Sequence, residues 1–119
     1  MPRLTLFADR NFDDRRIQFR RRGVAIRNMN AIRFNNDLSS FRSRRGDSAN
    51  VTLVLFSQTS YQGTFRVFRG DRDIANLGNF DFNNRTSSLI FIGRNLTDAE
   101  IRDIQSSRRA PRNIVEIRE

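Results

Sequence analysis

A six-residue phrase rich in side-chain oxygen occurs twice, as Asn35-Asn36-Asp37-Leu38-Ser39-Ser40 and, 48 residues later, as Asn83-Asn84-Arg85-Thr86-Ser87-Ser88. Both copies satisfy one pattern: two Asn or Asp, two free positions, Ser or Thr, then Ser. A chain of this composition should meet that pattern by chance roughly 0.04 times, so two copies at a regular spacing mark an internal duplication. Amide oxygens, hydroxyls and backbone carbonyls are the donors that a hard cation such as calcium accepts. The same residues are also ordinary turn formers, because their side chains bond the local backbone and tolerate left-handed conformations. The phrase therefore reads either as an ion loop or as a metal-free hairpin turn.

Other chemistry has few tools here. The chain has no Cys and no His, which removes disulfides, thiolate sites, the commonest general base and the commonest zinc ligand. Asp13 with Asp14, or Asp71 with Asp73, could be posed as an acid and base pair. Without His, Cys or a Gly-rich phosphate loop they read as surface partners of neighbouring Arg, and no enzyme activity is expected. All 22 basic residues are Arg, against 13 acids, for a net charge of +9. Guanidinium forks suit phosphate and carboxylate. Yet the arginines are scattered along the chain, clustering only at Arg20-Arg21-Arg22, Arg44-Arg45 and Arg108-Arg109, without the aromatic interleaving of a base-stacking surface. They read as a solvated basic face or as a site for a polyanion.

The elements that must hold the phrases are short strands. At 119 residues the chain has the size of one domain, and eleven Phe can bury enough apolar surface to fold it. Most of those rings are expected in the core or at hairpin corners. Leu4-Thr5-Leu6-Phe7 and Val51-Thr52-Leu53-Val54-Leu55-Phe56 open the two halves as strands. Arg16-Ile17-Gln18-Phe19-Arg20 and Thr64-Phe65-Arg66-Val67-Phe68-Arg69 alternate as one-sided sheet strands, with Gly23 and Gly70 expected at the turns that end them. Val24 to Ile32 and Ile74 to Phe82 are weaker strand candidates. Phe41-Arg42-Ser43-Arg44 and Leu89-Ile90-Phe91-Ile92 follow the phrases as fourth strands. Beyond the duplication, Thr97-Asp98-Ala99-Glu100 is a capping box opening a helix near 97 to 107, and Ile114-Val115-Glu116-Ile117 suits an edge strand or a docking segment. No apolar run has the length of a signal peptide or a membrane span, so the chain reads as soluble, either cytoplasmic or excised from a secreted protein.

An aromatic hairpin with Phe56, Tyr61 and Gly63, followed by the Asn/Asp-Asn/Asp-x-x-Ser/Thr-Ser phrase, resembles a Greek-key motif of the βγ-crystallins. The first half matches with Phe7 and Phe12 but has Asp14 in place of the hairpin Gly, which predicts a strained or differently turned corner. The two motifs, about residues 3–46 and 50–94, together resemble one microbial-type βγ-crystallin domain over 1–96, with 97–119 as a helix and extension packed on or beside it. The resemblance implies an all-β Greek-key sandwich of two four-stranded antiparallel sheets, the third strand of each motif being exchanged into the other's sheet.

It further implies two calcium sites, each mixing both halves. One takes the carbonyls of Ala8 and Asp37, the Ser39 hydroxyl and the Asn84 side chain. The other takes the carbonyls of Ser57 and Arg85, the Ser87 hydroxyl and the Asn36 side chain. Ser40 and Ser88 then tie down the hairpins. With no carboxylate among the carried-over ligands, dissociation constants on the order of 10⁻⁵ to 10⁻³ M are expected. The Asp37 carboxylate beside the first site, and an inward-folding Arg85 beside the second, would make the first the tighter. The alternatives are an Arg-rich module for nucleic acid, acidic polysaccharide or a membrane surface, and a metal-free structural or stress protein on the same fold. A monomer or weak dimer without a small-molecule substrate is expected.

Overall fold

The structure, a computed structural model, describes residues 1–117, which leaves the last two residues of the extension outside the described chain. The first half forms β1 (Arg3–Asp9), β2 (Asp13–Arg20), β3 (Gly23–Ile26) and β4 (Ser40–Arg44). The second repeats them as β5 (Thr52–Gln58), β6 (Gln62–Arg69), β7 (Arg72–Ile74) and β8 (Ser88–Ile92), before α1 (Asp98–Ser107) and β9 (Val115–Ile117). One sheet has the order β2-β1-β4-β7 and the other β6-β5-β8-β3-β9. β7 pairs with β4, and β3 with β8, so the third strand of each motif is indeed exchanged.

Two details differ from the sequence reading. Of the weaker strand candidates, Val24 to Ile32 is strand only as far as Ile26, and Ile74 to Phe82 only at Ile74, the last residue of β7. Each then turns into a 3₁₀ helix, Met29–Ile32 and Leu77–Phe80, because Asn28 and Asn76 accept the amides of Asn30 and Gly78 at 2.9 and 2.8 Å and so divert the backbone from the ladder. Second, one sheet has five strands, since β9 pairs in parallel with β3, with Val24 opposite Val115 and Ile26 opposite Ile117. Without it β3 would be a bare edge. Gly23, expected at a turn, instead begins β3. A Cβ there would meet the Ile114 side chain at 2.3 Å, so the glycine lets the tail approach the sheet.

The two sheets face each other across a core that includes Leu4, Leu6, Phe19, Ile26, Phe41, Leu53, Leu55, Phe68, Leu89 and Phe91. A second cluster lies on the outer face of the five-stranded sheet. There Val54, Phe56, Ile90 and Ile92 are covered by Leu96 and by Ile101 and Ile104 of α1. β5 and β8 are thus buried on both faces, which is why they read as unbroken apolar runs. Phe7, Phe19, Phe41, Phe68, Phe82 and Phe91 are buried as expected, whereas Phe80 is exposed.

The helix begins at the capping box foreseen in the sequence. Thr97 Oγ1 accepts from the Glu100 amide and the Glu100 carboxylate accepts from the Thr97 amide. The Arg94 guanidinium and the Thr97 amide hold the Glu100 carboxyl below its ordinary value. That contribution to stability is present at neutral pH and is lost as pH falls through the lowered value. No helix of the described residues is long and apolar enough to cross a membrane.

Because Ile101 is fully buried, Ile101→Ala should cost about 2–4 kcal/mol through lost burial and the cavity left on the sheet. Urea unfolding followed by circular dichroism measures it, and a change under about 0.5 kcal/mol would mean that the helix contributes little to the fold.

Candidate metal loops

Both phrases grow out of the same local architecture. At each hairpin tip two consecutive residues are left-handed: Asn11 and Phe12 at φ 60° and 57°, and Ser60 and Tyr61 at 57° and 62°. Such conformations are costly for aromatics and need support. The rings supply some of it, Phe12 meeting Phe7 edge-on at 5.6 Å and Tyr61 meeting Phe56 at 5.7 Å. The last serine of each phrase supplies the rest. Ser40 Oγ accepts from the Phe12 amide and donates to the Asp9 carbonyl, and Ser88 Oγ accepts from the Tyr61 amide and donates to the Gln58 carbonyl. Ser40 and Ser88 therefore tie down the hairpins.

Asp14 has φ 67° and Gly63 has φ 84°, so the first corner turns like the second rather than differently, at the cost of a left-handed Asp. A Cβ on Gly63 would meet Ser57 Oγ at 2.3 Å. The residue matching Ser57 in the first half is Ala8, which has no hydroxyl, so Asp14 is tolerated there. Asp71 and Asp73 pair with Arg45 and Arg44 at 3.5 and 2.7 Å. Among the described residues Asp13 makes no ion pair with Arg; its carboxylate accepts the Asp14 amide at 2.7 Å.

The phrases cross each other. The Asn36 amide donates to the Thr86 carbonyl at 3.2 Å, and the Asn84 amide to the Leu38 carbonyl at 3.1 Å. Asn36 and Asn84 are left-handed, at φ 58° and 57°. The Ser39 and Ser87 amides are held by the carbonyls of Phe7 and Phe56. As a result Ser39 Oγ lies 3.0 Å from Asn84 Oδ1, and Ser87 Oγ lies 3.5 Å from Asn36 Oδ1. Side-chain oxygens from opposite halves thus meet in both corners. Ala8 and Ser57 have no register partner in the hairpin ladders and sit at bulges beside these pairs. Among the described residues no hydrogen bond reaches the carbonyls of Asp37 and Arg85, whereas those of Leu38 and Thr86 are taken.

The donor set suits calcium. With oxygens at about 2.3–2.6 Å from the ion, ligands some 70–90° apart lie roughly 2.6–3.7 Å from each other. Both serine–asparagine separations fall in that range. Two buried side-chain oxygens in the phrases, Asn35 Oδ1 and Thr86 Oγ1, have no hydrogen-bond partner among the described residues. Thr86 occupies one of the free positions of the pattern, so no spacing rule would have singled it out. The described residues gather no group of three or more His, Cys, Asp or Glu, so the oxygens here are neutral.

The charges beside the corners are compensated. The Arg85 guanidinium turns away to the Asp81 carbonyl at 2.9 Å and the Asp81 carboxylate at 3.6 Å, over the Phe82 ring. It does not fold inward. Asp37 is engaged by Arg15 at 3.1 Å, which also lies over Phe34. The electrostatic reason for ranking the first corner above the second is therefore weakened on both sides.

No protein-family model and no curated protein matches this chain. Solved structures do. A βγ-crystallin from Ciona intestinalis is 19% identical over 73% of this chain and 95% of its own, with a TM-score of 0.60. A βγ-crystallin domain from Clostridium beijerinckii is 17% identical over 76% and 98%, at 0.60, and an archaeal βγ-crystallin is 15% identical over 74% and 94%, at 0.56. At such identities the likeness shows a shared fold.

The corner contacts predict a coupling. Gly63→Ala should cost about 1–2 kcal/mol for its left-handed backbone, plus the clash with Ser57. In a Ser57→Ala background the second part should vanish, so a double-mutant cycle by urea unfolding should return a coupling of at least about 0.5 kcal/mol. Additive effects would mean the hydroxyl does not crowd that corner.

Proposed function

We propose that this chain, a βγ-crystallin fold of two Greek keys, binds two calcium ions without turnover and is stabilised by them. The first ion would be held by the carbonyls of Ala8 and Asp37, Ser39 Oγ and Asn84 Oδ1. The second would be held by the carbonyls of Ser57 and Arg85, Ser87 Oγ and Asn36 Oδ1. The observation that supports this most is the meeting of serine and asparagine oxygens from opposite halves, at 3.0 and 3.5 Å. In a turn-only loop the same contacts serve as hydrogen bonds from the serine hydroxyls to the asparagine oxygens, so a calcium titration distinguishes the two readings.

The chain's own residues do the positioning. Left-handed Asn36 and Asn84 carry their side chains across to the facing phrase, and the Phe7 and Phe56 carbonyls fix the serines that they meet. The ion, when bound, would supply the positive charge on which these oxygens converge. Binding only the folded state, it stabilises that state by about 2.7 kcal/mol at a hundredfold excess over the dissociation constant. With neutral side-chain donors the constants should fall on the order of 10⁻⁵ to 10⁻³ M.

Calcium at 5 mM should raise the melting temperature and chelator should reverse the rise; identical melts would remove the proposal in favour of a metal-free fold. Ser39→Ala and Asn84→Ala, in different phrases, should weaken the same site by at least about fivefold in calorimetric titration. Ser87→Ala should weaken the other. Loss that follows the phrase instead of the crossed pair would refute the ligand assignment.

A further inference from the structure

Strand pairing gathers arginines that the sequence scatters. Across the outer face of the four-stranded sheet, Arg3 stands opposite Arg20 on one side and Arg44 on the other. The next row on the same face is Gln18, Thr5, Arg42 and Asp73, and the row after it begins with Arg16 and Phe7. Five arginines thus share one face with one in-register carboxylate. Asp73 takes Arg44 at 2.7 Å and Arg42 at 3.9 Å. Among the described residues Arg3, Arg16 and Arg20 pair with no carboxylate. Shallow clefts of about 320 and 250 Å³ run between these side chains, the first lined by Arg3, Arg20 and Arg44, the second by Arg3, Arg16 and Arg42.

Like charges directly opposite in a sheet are destabilising, so three guanidinium groups abreast call for an anion. The duplicated partner face shows what else could stand there. In the second half Thr52 and Arg69 match Arg3 and Arg20, but the other three positions are apolar, Ile90 and Ile92 for Arg42 and Arg44 and Phe65 for Arg16, and they belong to the cluster that α1 covers. The arginine face carries no such cover, and its aromatic rings are not available. Phe7 is 5% exposed, and Phe12 is covered by the Arg42 guanidinium at 4.1 Å.

We propose that this face binds the phosphate backbone of double-stranded nucleic acid without sequence preference, independently of the calcium sites. Duplexes carry one charge per roughly 1.7 Å of axis, and affinity grows with each phosphate neutralised. Guanidinium forks bond phosphate oxygens bidentately. A face without available aromatics has nothing on which unpaired bases could stack, which disfavours single strands. Met1, 65% exposed, lines the first cleft beside Arg3, Arg20 and Arg44, but one apolar side chain is too little to anchor the face in a bilayer.

The full chain is titrated against a labelled 20-base-pair duplex in calcium-free buffer from 50 to 200 mM salt. With Arg3, Arg16 and Arg20 each neutralising one phosphate, the slope of log K against log salt should be about −2.7, roughly a fortyfold loss over that range. Arg3→Ser with Arg20→Ser should weaken binding at least about tenfold at low salt and flatten the slope by about 2, without lowering the melting temperature. The charge-matched pair Arg102→Ser with Arg109→Ser, in and beyond α1, should stay within about twofold of the unaltered chain. Equal losses in both variants, or tighter binding to single strands, a sulfated polysaccharide or phosphatidylserine vesicles at matched charge, would overturn the proposal.

Discussion

Because β3 leaves the first half to pair with β8, and β7 leaves the second to pair with β4, neither half completes a sheet alone. The chain must return from each exchanged strand to β4 or β8, and the repeated phrases lie on those returns. They are thereby forced side by side, where each donates an asparagine amide to a carbonyl of the other. A single geometric requirement thus accounts for three observations. It explains the crossing of the loops, the left-handed asparagines that permit it, and the oxygen pairs from opposite halves. It also makes the sandwich one cooperative unit, since disturbing either half removes a strand from both sheets.

Much of this was legible in the sequence because the responsible residues are few and chemically particular. Asn in a left-handed position, Ser at a hairpin corner and Thr-x-x-Glu before an apolar run each do one job that few other residues do. The 3₁₀ helices after β3 and β7 were less visible, as Val24 to Ile32 and Ile74 to Phe82 carry strand-like residues and one capping Asn decides the outcome. The pairing of β9 was foreseen only as one option, because a short alternating segment can serve any exposed edge. The cover on the five-stranded sheet has its signal in Leu89-Ile90-Phe91-Ile92, which is apolar on both sides where Phe41-Arg42-Ser43-Arg44 is not. Which oxygens of the phrases remain without partners depends on backbone bonds between distant segments, and no local pattern records that.

The two outer faces show how a duplicated scaffold separates into different surfaces. Thr5, Gln18, Arg42 and Arg44 occupy the positions that Val54, Val67, Ile90 and Ile92 occupy in the other sheet. Given apolar residues, the face needs a lid, and α1 with the tail provides one. Tyr61 links that lid to the second hairpin, its hydroxyl donating to the Glu116 carboxylate at 2.6 Å. Given arginines, the face stays open to water and ions. The C-terminal segment is therefore tied to the chemistry of one half, and its lack of a counterpart after β4 follows from the polarity of the other.

A net charge of +9 opposes cation binding, so the proposed calcium sites depend on where the arginines beside the phrases are held. Arg15 and Arg85, which contact the phrases, are occupied locally, Arg15 by Asp37 and the Phe34 ring, Arg85 by Asp81 and the Phe82 ring. The densest arginine row crosses β1 at Arg3, four residues before Phe7, whose carbonyl holds Ser39. Four residues of strand span about 13 Å, beyond the roughly 8 Å over which charges act through physiological salt. Repulsion from that row is thus largely screened before it reaches the corner. Strand length thus separates the Arg3 row from the loops, whereas Arg16, which the register sets opposite Phe7, is the arginine of that face that comes nearest the first corner.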